Sequence, residues 1–366
     1  MNFLISNVFV IFLLHIHFVY TSIHGVPNIR IPFIIDHSKK VAIMNICLTL
    51  YSDQCFPVLL STTTFKPFIL GKEKFGVGYD HVRDPVHDVN ISFQFGSFSL
   101  GGYLIRETLT IPNTMVDIDY FFFYYTNKGD LPFPDFSYVG IMGLAIGKDT
   151  ICSSLVDSVF RNFKVPKVFS IRINRNEEKG QLTFGEFARE NIGSQKQIKK
   201  CALLPFEDVF ACEIKRLFYY IDSNLGIIME KIPLTSAKIL LNPGFYGIRV
   251  PNSIFEYLTK KIFNNALSNF PYRCSVKENR ENNRFISCDT NFAKATNFGE
   301  IKLFVGNFNF SLNLNQLFRN NNDGISDLLI YNHKKFTHWV IGNYFLDKNI
   351  NEIIYDVDNQ LIFLFK

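Results

Sequence analysis

Two hydrophobic runs that end in polar turns dominate the pattern of the chain. Residues 56–60 run into Ser61 and three threonines, and residues 238–241 run into Asn242, Pro243 and Gly244. Each run predicts a buried strand that opens into a tight turn. Short apolar or alternating segments, broken by Gly, Pro, Asn and Asp, fill most of the remaining sequence. The pattern therefore predicts a mainly β protein.

Two segments have helical spacing instead. In the first, apolar residues fall on one face, and Pro166 predicts its end; they are Leu155, Val159, Phe160 and Phe163. The second opens with Ser253-x-x-Glu256, a capping-box pattern, and places Phe255, Leu258 and Ile262 on one side. Each predicted helix follows a strand and a turn in its own half of the chain.

The two halves also resemble each other, because residues 139–144 match residues 339–346. This internal match predicts two related lobes joined through the polar stretch 189–200. We assign residues 26–192 to an N-terminal lobe that carries a flap, and residues 193–366 to a C-terminal lobe.

The N-terminus is apolar from Phe3 to Tyr20 and continues into a small, polar stretch. This pattern predicts a signal peptide over residues 1–25 and hence a secreted protein without a membrane segment after cleavage. An uncleaved membrane anchor is the alternative, since about 18 apolar residues is near the lower limit for a spanning helix. His15 and His17 inside the run favour cleavage.

Composition and charge limit the classes of function that the chain can have. Of the 366 residues 47% are hydrophobic, and 40 are Phe, which suits a large β-rich core. The formal charge of +5 is mild and no basic run stands out, so nucleic-acid binding is not expected. We expect no cofactor and no metal, and we expect a monomer.

Seven cysteines on a secretory route predict disulfides and one thiol left over, Cys152. The candidate pairs are Cys274 with Cys288, Cys201 with Cys212, and Cys47 with Cys55. Spacing alone leaves the connectivity open. Metal binding is the rival use of cysteine, but no Cys-x-x-Cys spacing is present. Sequons at Asn90 and Asn309 predict glycosylation.

Short motifs follow one another in a characteristic order. They are Ile91-Ser92-Phe93-Gln94-Phe95-Gly96-Ser97, Gly140-Ile141-Met142-Gly143-Leu144, Gly180-Gln181-Leu182-Thr183-Phe184-Gly185, and the ending from Trp339 to Leu346 with Ile354-Tyr355-Asp356. In this order they resemble the pepsin-like (A1 family) aspartic proteases. The resemblance implies an all-β, bilobal acid protease fold with a few short helices, in which an extended peptide lies in a cleft beneath a flap hairpin.

The active-site turns of that family read Asp-Thr-Gly, and the resemblance places Ser61 and Asn242 at the two aspartate positions. The family reaction needs two carboxylates that share one proton. Neither a hydroxyl nor an amide titrates in the useful range, so no catalytic residue is expected. Ser61 as a nucleophile lacks a histidine that the fold would place beside it.

The resemblance also predicts the residues that line the cleft. Thr62 keeps the position of a threonine that braces one active-site loop against the other, whereas Pro243 replaces its partner. The remaining predicted cleft residues are Thr63, Gly244, Phe68, Phe95 and Phe98. The three phenylalanines form the wall of a binding pocket or, alternatively, fill the cleft.

Two further patterns have plain alternatives. Asp80, His81, Asp84, His87 and Asp88 could be drawn as a metal site, but a solvated loop before the flap explains them. The aromatic run at 120–125 could be a binding surface, but a strand buried on both faces explains it.

The leading hypothesis is a secreted, catalytically inactive pseudoprotease that binds an extended peptide or a protein in its cleft. A closed scaffold without ligand is the first alternative. The second is an active aspartic endopeptidase with displaced carboxylates, for which Asp53 is the nearest candidate.

Overall fold

The computed structural model of the protein describes most of the chain. The described residues are 29–36, 41–48, 55–64, 66–70, 85–87, 93–95, 98–112, 114, 116–128, 138–147, 153–174, 176–193, 199–206, 209–223, 226–234, 238–267, 274–279, 282–321, 323–333, 337–343, 346 and 350–365. The predicted signal peptide, Asp53, Asn90 and Cys152 lie outside these ranges. So do Asp80, His81, Asp84 and Asp88.

Within the described residues fourteen strands form the first sheet, in the order β12-β26-β25-β10-β11-β1-β2-β3-β9-β4-β8-β7-β5, with β6 paired to β7. They are β1 (Arg30–Ile35), β2 (Ala42–Leu48), β3 (Cys55–Ser61), β4 (Phe68–Leu70), β5 (Pro85–His87), β6 (Phe93–Phe95), β7 (Phe98–Thr110), β8 (Asp117–Lys128), β9 (Gly140–Gly143), β10 (Val168–Asn174), β11 (Lys179–Phe184), β12 (Lys199–Ala202), β25 (Glu352–Asp356) and β26 (Leu361–Phe365).

In the described part of the chain twelve strands form the second sheet, in the order β18-β19-β23-β17-β24-β16-β14-β20-β21, with β13 and β15 paired to β14 and β22 to β23. They are β13 (Leu204–Phe206), β14 (Val209–Ser223), β15 (Gly226–Lys231), β16 (Lys238–Asn242), β17 (Ile248–Arg249), β18 (Cys274–Glu278), β19 (Arg284–Asp289), β20 (Glu300–Val305), β21 (Phe308–Asn313), β22 (Phe318–Asn320), β23 (Ile325–Asn332) and β24 (Trp339–Gly342). Two sheets with few helices confirm the predicted fold class.

The internal match has a clear structural counterpart. Strand β3 pairs in parallel with β9, and β16 pairs in parallel with β24. The matching segments at 139–144 and 339–346 thus lie beside the two strands that lead into the polar turns. Strands β12, β25 and β26 come from the C-terminal half but belong to the first sheet. The lobe boundary at residue 192 stays a prediction.

The helices among the described residues are α1 (Leu155–Phe163), α2 (Glu186–Gly193), α3 (Asn252–Leu267) and α4 (Thr290–Ala295), with a 3₁₀ turn at Leu314–Leu317. Helix α1 ends at Phe163, the next residue Lys164 lies in the left-handed region (φ 51°), and the end falls just before Pro166, as predicted. Helix α3 begins at Asn252, so Pro251 holds the cap position and the predicted cap at Ser253 is wrong by two residues. The reason is that the Pro251 carbonyl accepts the first helical N–H groups, from Ile254 and Phe255.

Disulfides join all three candidate cysteine pairs, Cys47–Cys55, Cys201–Cys212 and Cys274–Cys288. The first and third connect directly opposed residues of neighbouring strands. The second joins β12 of the first sheet to β14 of the second. Among the described helices none is long and apolar enough to cross a membrane.

Candidate functional site

The two polar turns meet at one point. Strand β3 ends at Ser61 and strand β16 ends at Asn242, and the Asn242 Nδ2 donates to the Ser61 Oγ at 3.4 Å. Both side chains are buried, at 1% and 6% exposure. The two positions that the resemblance assigns to the lost aspartates are therefore in contact.

The Asn242 amide is fully hydrogen-bonded. Its Oδ1 accepts the N–H groups of Thr62 at 3.3 Å and Gly244 at 3.0 Å. Its Nδ2 donates to Thr63 Oγ1 at 3.0 Å as well as to Ser61. An amide offers two donors and two lone pairs, so every position is used. The two N–H donors also determine which end of the amide is oxygen.

Thr62 connects the first turn to the strand before the second. Its Oγ1 donates to the Leu241 carbonyl at 2.6 Å. The Tyr355 hydroxyl, from β25, donates to the same carbonyl at 3.2 Å. Burial raises the pKa of Tyr355, and the hydrogen bond with Thr62 opposes that rise. Tyr355 therefore stays protonated and acts as a donor beneath the site.

The second turn has a different connection. Pro243 is buried and has neither an N–H nor a hydroxyl, and its carbonyl accepts the Ala42 N–H at 3.1 Å. A Cβ on Gly244 would lie 1.9 Å from the Leu60 carbonyl oxygen, so only glycine fits there. This close approach brings the two turns together at the backbone level.

Thr63 completes the cluster at its more accessible edge. It is half-buried, its Oγ1 lies 3.0 Å from Ser61 Oγ, and its N–H donates to Ser61 Oγ at 3.3 Å. Ser61 thus has only neutral hydrogen-bond partners, Thr63 and Asn242, among the described residues. The site can donate and accept hydrogen bonds, but none of its four polar side chains is an acid or base near neutral pH. They are Ser61, Thr62, Thr63 and Asn242.

The flap hairpin is present in the backbone. Residues Phe93–Phe95 pair in antiparallel fashion with residues 98–100, and Phe95 lies opposite Phe98. The side chains of Phe95 and Phe98 are outside the description. Phe68, in β4, is 1% exposed, so in this conformation it packs in the interior and offers little accessible surface.

Several features of the site could not be found from sequence. Tyr355 belongs to a family-typical segment, but nothing in the sequence places its hydroxyl under Leu241. The four bonds of Asn242 depend on two loops 180 residues apart. In the described ranges no group of three or more His, Cys, Asp or Glu could hold a metal ion. Asn309 is exposed on β21, and its glycosylation stays a prediction.

Comparison with protein families agrees with this geometry. Residues 85–365 match the sequence model of the eukaryotic aspartyl protease family. Because the match covers well over half of the chain, the protein belongs to the eukaryotic aspartyl protease family. No curated protein matches the chain.

Solved structures share the fold. Basic 7S globulin from soybean is similar with a TM-score of 0.62 and 12% identity, covering 93% of this chain and 96% of that chain. Conglutin gamma, a unique basic 7S globulin from lupine seeds, is similar with a TM-score of 0.63 and 14% identity, covering 93% and 95%. At these identities the likeness shows the fold alone.

Proposed function

We propose that the protein is a secreted, catalytically inactive member of the aspartyl protease family that binds an extended peptide or protein segment in its cleft. One observation carries the proposal. The Asn242 amide fills one position of the expected catalytic pair, touches Ser61 at the other, and has all of its hydrogen-bonding capacity occupied.

The chemistry of the pair supports inactivity. In the family reaction an ionised carboxylate takes a proton from water while a protonated one polarises the scissile carbonyl. Asn242 cannot accept that proton, and Ser61 has no basic partner among the described residues. Loss of one general acid–base group typically costs about 10²–10⁴ in rate. Replacement of both removes the route to hydrolysis.

The remaining polar groups suit binding. An extended peptide is held through main-chain hydrogen bonds and side-chain pockets, without any need for titratable groups. Ser61, Thr62 and Asn242 are buried, whereas Thr63 and Gly244 are half-buried. We infer that a ligand meets the floor of the cleft at Thr63 and Gly244, beneath the flap hairpin.

Secretion is part of the proposal. Three disulfides are typical of chains that fold in an oxidising compartment. The apolar run that ends at Tyr20 has the composition of a secretory leader. Edman sequencing of protein from the medium of expressing cells should give a new N-terminus near residues 22–26. Retention of residues 1–20 on a membrane-bound product would contradict secretion.

Peptide capture tests the binding role. The purified protein is incubated with a diverse peptide mixture, and the retained peptides are identified by mass spectrometry. Thr63→Trp should block the cleft floor and abolish enrichment. Ser275→Trp, at an exposed position of β18, is the matched control and should enrich the same peptides as wild type.

Three outcomes would contradict the proposal. Enrichment that survives in a folded Thr63→Trp variant would place the peptide elsewhere. No enrichment by wild type would favour the closed scaffold. Recovery of the bound peptides as cleaved fragments would show a working protease. Circular dichroism and thermal melting of each variant check that the substitution leaves the fold intact.

A further inference from the structure

A separate pocket lies where the two sheets meet, on the surface formed by β12, β14 and the β20–β21 hairpin. Its volume is about 440 Å³, within the range of about 300–1,000 Å³ that small-molecule sites occupy. Three of its lining residues are cations, Lys199, Lys215 and Arg216, and none is acidic. The pocket involves none of the residues of the Ser61–Asn242 site.

The walls of this basic pocket are held in place by several connections. The Cys201–Cys212 disulfide joins β12 to β14. The Lys200 N–H donates to Asn307 Oδ1 at 2.7 Å, and the Asn307 N–H donates to the Lys200 carbonyl at 3.2 Å. Gly306 has φ +55°, and a Cβ there would lie 2.2 Å from the Lys200 carbonyl oxygen. The hairpin turn is thus attached to β12.

A β-bulge explains why two cations share one face. The pairing of β14 with β20 shifts between Ile214 and Arg216, so Lys215 is the extra residue. Ile214 and Leu217 are buried, and both Lys215 and Arg216 between them are exposed. In a regular strand consecutive side chains point to opposite faces, whereas a bulge places two neighbours on one side.

The positive charge of the pocket is not neutralised within the described part of the chain. Arg216 lies over the Phe304 ring, with its guanidinium carbon 4.9 Å from the ring centroid. No salt bridge in the described residues involves Lys199, Lys215 or Arg216. Stacking on a ring orients a guanidinium while leaving its N–H groups able to donate at the edge.

We propose that this basic pocket binds a small ligand through a phosphate or sulfate group. A tetrahedral oxyanion presents several acceptor oxygens, and an arginine fork with two flanking ammonium groups matches it in both charge and donor number. A phosphate ester and a sulfate ester share this chemistry. A single small ligand fits the volume of the pocket, and the pocket shares no lining residue with the Ser61–Asn242 site.

The test is an NMR titration of the ¹⁵N-labelled full chain with inorganic phosphate and, separately, with sulfate. Sodium chloride keeps the ionic strength constant, because surface charges are screened within about 10 Å at 0.1 M salt. Asn309 lines the pocket and carries a predicted glycosylation sequon, so all proteins carry Ser311→Ala, which removes the sequon and leaves every pocket residue unchanged. Saturable shifts should appear at the Gly306 and Asn307 amides.

Two charge-matched variants make the test specific. Lys215→Gln with Arg216→Gln should weaken binding about tenfold or more, because charge-assisted hydrogen bonds are lost. The control is Lys277→Gln with Arg319→Gln; these residues are equally exposed, and Arg319 also lies over a ring, that of Tyr246. It should bind within about twofold of the parent protein, since it removes the same charge elsewhere.

The two titrations identify the source of the anion. Tighter binding of phosphate than of sulfate at pH 8, where both ions are mainly dianions, indicates a phosphate ester. Tighter binding of sulfate than of phosphate at pH 8 indicates a sulfate ester. No saturable shift with either ion, or equal weakening in both double variants, would overturn the proposal. Thermal melting without ligand confirms that each variant is folded. Lys199→Gln is a further pocket variant, to be titrated in the same way.

Discussion

The turn after β3 and the turn after β16 occupy equivalent positions but contribute unequally to the site. Thr62 in the first turn donates both its N–H and its hydroxyl to the second half, to Asn242 and Leu241. Pro243 in the second turn has neither an N–H nor a hydroxyl to donate to the first half. Only its carbonyl takes part, by accepting the Ala42 N–H. Pro243 has no side-chain oxygen that could accept the Thr62 N–H. The Asn242 amide oxygen accepts it instead.

This difference separates two roles that a catalytic aspartate combines. A carboxylate at the end of β16 would accept backbone N–H groups and would also titrate. Asn242 keeps the accepting role, since its Oδ1 takes the Thr62 and Gly244 N–H groups, and loses the titration. The two halves can thus remain braced against each other without acid–base chemistry.

The largest expected effect is on Asn242. Asn242→Ala leaves the Thr62 and Gly244 N–H groups without their acceptor and should lower the free energy of unfolding by about 2–4 kcal/mol. Ser61→Ala removes a hydroxyl shared among neutral partners and should cost about 1 kcal/mol. Urea unfolding monitored by circular dichroism measures both. Equal losses would contradict the special role of the amide.

The next effect compares the two turns directly. Thr62→Val removes the hydroxyl that donates to the buried Leu241 carbonyl and should cost about 1–2 kcal/mol. Pro243→Ala removes no side-chain hydrogen bond and should cost less than about 1 kcal/mol, mainly through the more flexible unfolded chain. The same urea series tests the order. A larger loss for Pro243→Ala would reverse the asymmetry.

A smaller effect concerns the shared Leu241 carbonyl. Thr62 and Tyr355 both donate to it, so removing both donors costs more than the sum of the single losses. We expect a coupling of about 0.5 kcal/mol or more between Thr62→Val and Tyr355→Phe. Tyr219→Phe is the control because its hydroxyl donates elsewhere, to the Phe298 carbonyl at 2.7 Å. With Thr62→Val it should be additive within about 0.5 kcal/mol.

The smallest effect appears only at high pH. Burial raises the pKa of Tyr355 above the ordinary tyrosine value of about 10. Its contribution to stability is therefore complete below pH 10 and is lost as pH rises through the folded-state pKa. Tyr355→Phe should make this alkaline loss shallower by up to about one proton per molecule. Denaturant unfolding at a series of pH values measures the slope, and an unchanged slope would contradict the buried donor.

The strands of the site could be predicted from sequence because an apolar run that ends in turn residues is typical of a buried strand. The runs at 56–60 and 238–241 became β3 and β16, and the residues that end them are in contact. The cysteine pairs also agreed, although spacing alone left them open. The cap of α3 was missed by two residues because Pro251, rather than Ser253, supplies the accepting carbonyl.

The hydrogen bonds themselves could not be predicted from sequence. The four partners of Asn242 depend on the relative position of two distant turns, which no local pattern encodes. The sequence does contain one sign of the basic pocket. Apolar residues at 214, 217 and 219 break the two-residue alternation expected of a strand, and the break marks the bulge at Lys215. The pattern could not show that Lys199, from a different strand, would line the same pocket.

The most direct test of the central claim is peptide cleavage by the purified, secreted protein from pH 3 to pH 7, with and without pepstatin. Ser61→Ala and Asn242→Ala preparations, checked for folding, reveal any contaminating protease. We predict that wild type gives no cleavage above the level of these variants at any pH. Pepstatin-sensitive cleavage by wild type that disappears in folded Ser61→Ala would show that the site hydrolyses peptides without its aspartates, and would contradict the account.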